Sequence, residues 1–279
     1  MKAAHVSLIQ SAQYSAKDDF SNILQKYFSK ERFIIQGDII GVPSKDDLLF
    51  CSQTHQFSSP IIYFRVSLVE GKGSLIDVNH DSKLYQAGTV HSFVPLTLQS
   101  YYDQSNFSIF NNLYPPGLER YVKLLCKLVY PYQNPNNKIC GTILINGLSG
   151  CGKRSIIKGM CKYWNLQLYE MNSNDILGDT PGSTEAKLKI AMTKCSIYSP
   201  CVVMISNINL LCNNVNDDPR IVTAFVNSIK ELQKLDEKWP IIIIATNSDY
   251  KKVLNHDLYN VFLHELNIDC PEIEEREVI

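Results

Sequence analysis

The stretch Gly147-Leu148-Ser149-Gly150-Cys151-Gly152-Lys153 fits the pattern G-x-x-x-x-G-K and constrains its surroundings more than any other segment. Glycines at these places let successive backbone N–H groups curl around an anion without Cβ clashes. The lysine brings a positive charge to the outer phosphates of a nucleotide. Such a loop needs a strand before it and, after it, a helix whose positive end faces the anion. Both flanks comply: "GTILING" reads as an apolar strand, and Ser155 to Trp164 as a helix. A Gly-rich turn at a strand-to-helix junction is the competing reading, and the flanking pattern favours the phosphate loop.

Downstream the alternation continues. "LQLYEMN" is a strand, Glu185 to Tyr198 a helix, and "CVVMISNINLL" a strand. Arg220 to Leu235 is a helix with Ile221, Val222, Phe225, Val226, Ile229 and Leu232 on one face, and "PIIIIATNS" is a strand. Continuous Val/Ile runs alternating with helices predict an α/β fold, a parallel sheet covered on both faces. Upstream, residues to about 112 read as short strands broken by Gly and Pro: Arg32 to Pro43, Ser59 to Gly73, and Gly73 to Pro95 with a polar turn at Asn79 to Ser82. One helix precedes them near Asp19 to Phe28, and the whole predicts a small, barrel-like, mostly-β domain. Gln99 to Asn112 reads as a linker. Pro115 and Pro116 suit a helix entry, and the helix that follows should stop by Tyr130, before Pro131. Asn134 to Lys138 is a loop. The expected organisation is a β-rich domain over 1–112, a linker helix and loop over 113–138, and the phosphate-loop domain over 139–279.

The 279 residues have room for one large or two small domains, and 45% hydrophobic content is enough to bury a core. A net charge of -1 gives no electrostatic case for nucleic acid or an anionic membrane. No apolar run approaches the roughly 20 residues of a membrane helix, and Met1 to Gln10 does not read as a secretory signal. The nine cysteines are scattered, with no C-x-x-C pair and no zinc spacing, and read as reduced thiols packed as small hydrophobes in a cytosolic protein.

The residue after the loop breaks the pattern. A working phosphate loop ends in Ser or Thr, whose hydroxyl binds Mg²⁺. Arg154 stands there instead, and a guanidinium at that point repels a dication. Ser155 lies one residue later on another side of the helix and does not substitute.

"GLSGCGKR", "CVVMISNIN" and "IIIIATNSD" together resemble, in order and spacing, the nucleotide site of the AAA family. The upstream "GDIIGVP", "DVNHDSKLYQAGTVHSFVP" and "PPGLERYVKLLCKL" resemble the region before the first ATPase domain in that family's peroxisome-biogenesis branch. The resemblance implies ATP as the cofactor, bound by Gly147, Gly150, Cys151, Gly152, Lys153, Arg154 and Asn247. Asn247 would face the γ-phosphate, although an Asx turn at a strand end explains it as well. The Asp and Glu that hold Mg²⁺ and activate water in AAA proteins fall at Ser206 and Asn207. Neither serves as a general base or holds a dication, so weak Mg²⁺ binding and weak or absent hydrolysis are expected, with no catalytic or metal residue assigned.

The resemblance further implies a hetero-hexameric ring with peroxisome biogenesis factor one. It also implies a membrane anchor protein as partner, a cytoplasmic location on the peroxisomal membrane, and the import receptor as cargo to be extracted and recycled. Three departures qualify this. Val261 to His264 has no arginine where AAA proteins place fingers, "GDTPGST" has no chain-gripping aromatic, and the chain stops at Ile279 where a helical lid would begin. The last suggests a fragment, a short product or an incomplete gene model. A structural pseudo-ATPase that takes no nucleotide stays open; a phosphoryl-transferring kinase is disfavoured by the missing metal ligands and the β-rich front half.

Overall fold

Four consecutive isoleucines, Ile241 to Ile244, suit a strand covered on both faces, since successive side chains of a strand point to opposite sides. All four are buried in the computed structural model of the chain. The structure describes residues 3–12, 14, 20–43, 61–71, 75–76, 82–95, 117–134, 139–178, 180–211, 219–234, 239–248 and 256–269. The linker read at Gln99 to Asn112, Pro115 and Pro116, the polar turn at Asn79 to Asp81, and Cys270 to Glu277 lie outside them. So do Cys51 and Cys212. Two compact units emerge, Met1–Phe107 and Ser108–Ile279.

The first unit contains β1 (Ala3–Ile9), α1 (Ser21–Tyr27), β2 (Arg32–Phe33), β3 (Ile39–Pro43), β4 (Ile61–Glu70), β5 (Leu75–Ile76) and β6 (Lys83–Val90). Four of its strands form a sheet in the order β3-β4-β1-β6, and β2 pairs with β5 in a separate two-stranded ribbon. The expected barrel is thus, among the described residues, an open mixed sheet with one helix against it. β1 runs antiparallel to β4 and parallel to β6. Sequence patterning assigned no element to 3–9, yet β1 occupies the interior of the sheet. Phe20, Ile23, Leu24 and Phe28 from the helical segment bury against Val6, Leu8, Ile62, Phe64 and Val66.

The second unit contains α2 (Glu119–Val129), a 3-10 turn at Tyr130–Gln133, β7 (Gly141–Gly147), α3 (Lys153–Trp164), β8 (Gln167–Asn172), α4 (Ser173–Ile176), α5 (Pro181–Ile197), β9 (Cys201–Ser206), α6 (Pro219–Lys234), β10 (Ile241–Asn247), α7 (His256–Tyr259) and β11 (His264–Ile268). Its sheet runs in the order β11-β7-β10-β9-β8, and every pairing is parallel. One face, with Leu144, Val203, Ile205, Ile243 and Ala245, packs on α5 and α6 through Leu188, Met192, Phe225 and Ile229. By alternation, Ile143, Ile145, Val202, Met204, Ile242 and Ile244 face the other side and are buried there as well. Each such side chain contributes about 2 kcal/mol, so this double burial holds all strand ends in register.

α5 begins at Pro181, earlier than the periodicity from Glu185 indicates. Thr180 caps it, its side chain accepting from the Ser183 N–H, and Pro181 supplies the preset φ of a first helical residue. α2 ends at Val129 as expected, and the chain tightens through Pro131 into the 3-10 turn. No helix among the described residues is long and apolar enough to cross a membrane.

Candidate nucleotide-binding site

In parallel sheets, ligands lie at the carboxyl ends of the strands, and there β7 hands over to α3. The loop's exposed tip is Leu148 to Gly150, while Cys151 to Lys153 are half-buried. Gly150 and Gly152 adopt φ of +87° and +83°, a region that L side chains avoid. A Cβ on Gly152 would also lie 2.4 Å from Leu118 Cδ1, so the tip of that side chain, just before α2, would have to shift. The turn is closed by Cys151 N–H donating to the Leu148 carbonyl at 3.3 Å. α3 opens on Lys153, so Lys153 and Arg154 both belong to the first turn, whose unpaired N–H groups give the helix its positive end.

The Lys153 ammonium folds over the loop, 2.8 Å from the Gly147 carbonyl, 2.7 Å from the Leu148 carbonyl and 3.9 Å from Cys151 Sγ. These acceptors are neutral. A phosphate oxygen, being charged, makes the stronger bond to the same ammonium. Arg154 points elsewhere. Its Nη2 sits 2.5 Å from Glu170 Oε2 on β8, and Lys158 Nζ approaches the other oxygen at 3.4 Å.

An asparagine stands at or next to the end of every strand of the sheet: Asn146 in β7, Asn172 on β8, Asn207 just after β9, Asn247 on β10 and Asn267 in β11. Asn247 is buried and sits beside Asn146 in register. Ser206 closes β9. Asn207 takes φ of 58°, its N–H donates to Thr246 Oγ1 at 3.3 Å, and its Oδ1 accepts from the Ser248 hydroxyl at 3.1 Å. It ties two strand ends together.

Asn146, Glu265 and Asn267 form a polar network that motif reading missed. The Asn146 amide donates to Glu265 Oε1 at 2.5 Å and to Asn267 Oδ1 at 3.0 Å. Tyr259 donates to Glu265 Oε2 at 2.6 Å, which with the carboxylate's charge raises the phenol's pKa. The available signal was an amide inside an otherwise apolar strand. His264, in the segment without a finger arginine, is held by the Tyr132 hydroxyl at 2.7 Å. Leu263 is pinned by its N–H to the Thr142 carbonyl at 3.0 Å.

The loop carries the parts a polyphosphate site uses: two left-handed glycines, one ammonium folded over the backbone and the start of a helix. It does not suit a hard dication, which requires several oxygen ligands and anionic charge. A guanidinium replaces the hydroxyl, and Ser206 and the tied Asn207 replace the carboxylates.

Residues 143–269 match the family described as ATPase family associated with various cellular activities (AAA). This chain carries an AAA domain. The match takes in the phosphate loop, the β9 end, Asn247 and all of β11. Beyond the AAA domain, 98% of the chain is 27% identical to the peroxisomal ATPase PEX6 of Cricetulus griseus, covering 29% of that protein. PEX6 of Homo sapiens is 24% identical over 95% of the chain, which covers 28% of it. PEX6 of Arabidopsis thaliana is 26% identical over 70% of the chain, which covers 21% of it. The chain spans less than a third of the length of these relatives. The chain is related to peroxisomal PEX6, and the strand-rich unit before the AAA domain belongs to the likeness.

Proposed function

We propose that this AAA module binds ATP at Gly147, Gly150, Cys151, Gly152, Lys153, Arg154 and Asn247, and that the nucleotide stabilises assembly while turnover is weak or absent. One pairing of observations carries the reading. The loop and Lys153 are intact, while the positions for a metal-holding acid and a general base are Ser206 and Asn207. A water molecule beside a γ-phosphate finds no carboxylate at either position to take its proton.

The likeness to PEX6 supports a larger setting. The module would sit in a six-membered ring with peroxisome biogenesis factor one, docked on the peroxisomal membrane through an anchor protein. The ring would extract and recycle the matrix-protein import receptor, with mechanical work done elsewhere in it. A structural module of ring assembly that takes no nucleotide is the alternative, and the Arg154–Glu170 pair favours it. Measuring ATP binding and phosphate release on the same preparation separates the cases. Saturable binding with negligible release supports the proposal. Failure to bind supports the alternative, and steady release at several turnovers per minute overturns both.

A further inference from the structure

The AAA fold implies a divalent cation beside its nucleotide, and the residues at this site do not fit one. Relative to a metal-bearing site of this family, Ser206 and Asn207 remove two negative charges and Arg154 adds one positive charge. Together these changes supply at least the two positive charges that the cation would have brought. We propose that the site takes its nucleotide as the metal-free polyphosphate, with the Arg154 guanidinium in the cation's place. This deepens the reading of the loop as an ATP site and rests on it.

Arg154 is the second residue of α3, next to Lys153 and on the turn whose N–H groups face the anion. Among the described residues, what holds it now is one carboxylate, Glu170. The Arg154 side chain is 64% exposed, and exposed ion pairs are weak. Lys158 already contacts the same carboxylate at 3.4 Å, so Glu170 keeps a cationic partner when Arg154 leaves. A polyphosphate offers the guanidinium paired oxygens that match its fork, a stronger acceptor than a shared surface carboxylate. The ends of β9 and β10 carry a hydroxyl and amides, Ser206, Asn207 and Asn247, in place of carboxylates that would repel bare phosphate oxygens.

The test is equilibrium binding of ATP to the full chain in excess EDTA and in excess Mg²⁺. The wild-type chain should bind at least as tightly in EDTA. Arg154→Met should weaken binding in EDTA by about tenfold or more, the scale of losing hydrogen bonds between charged groups. Lys158→Met should change little, and Glu170→Gln, which frees Arg154, should match or exceed wild type. Wild-type binding tenfold or more tighter with Mg²⁺, or Arg154→Met binding as wild type does, overturns the inference and leaves the loop assignment standing. No ATP binding by the wild-type chain in either condition removes both.

Discussion

Asn207 accepts a hydrogen bond from Ser248 at 3.1 Å while its own backbone sits at φ 58°, so one residue both ties β9 to β10 and turns the chain. Asparagine tolerates that left-handed conformation better than most residues. Asn207→Glu should therefore cost about 1–2 kcal/mol of stability, from strain and the lost bond; urea unfolding measures it. The triple change Arg154→Thr, Ser206→Asp and Asn207→Glu should improve Mg²⁺-dependent ATP binding without restoring strong hydrolysis, since no neighbouring arginine is supplied. Brisk turnover by the isolated triple variant would contradict this.

Gly152→Ala should destabilise the protein by about 2 kcal/mol or more, because its φ is +83° and a Cβ would press on Leu118. Leu118→Ala in the same background should recover the steric part. A double-mutant cycle with no coupling between the two sites would show that they do not touch.

The thiols differ in reach. Burial pushes Cys140 up to about 12 and Cys126 up to about 11, so both stay protonated and unreactive in the folded protein. Cys151 is half-buried in the phosphate loop, and maleimide should label it before the buried Cys126, Cys140, Cys161, Cys195 and Cys201, with ATP slowing the reaction. The raised Cys140 value has a stability consequence. The folded state keeps a proton that the unfolded chain releases above the ordinary 9.0, so this contribution is complete below pH 9 and fades as pH rises toward 12. Stability that holds flat from pH 9 to 11 would contradict the assignment.

Phe225 lies fully buried between α6 and the sheet, and Phe225→Ala should cost about 3–5 kcal/mol. Ile190, 59% exposed on α5, should tolerate Ala within about 0.5 kcal/mol. Comparable losses at the two positions, read by denaturant midpoints, would mean the packing is misassigned.

These residues also show what sequence alone discloses. Phe225 was legible because helix burial repeats every three to four positions, and Gly147 to Lys153 because one local motif fixes strand, turn and helix together. The start of α5 was equally local, a Thr-Pro cap, but the apolar count at Glu185 outweighed it. β1 and β11 went unassigned because polar residues interrupt each, His5 and Ser7 in one and His264, Glu265 and Asn267 in the other, so their identity comes from pairing with distant strands. The contacts of Arg154 with Glu170 and of Asn146 with Glu265 depend on that same long-range placement, which spacing in the chain does not encode.

The central claim is that the curled loop and a single ammonium hold the triphosphate. Titrating ATP against the chain and against Lys153→Ala, with folding of both verified by circular dichroism, tests it directly. Saturable binding by the first and none by the second is the predicted result; equal affinities would contradict the account.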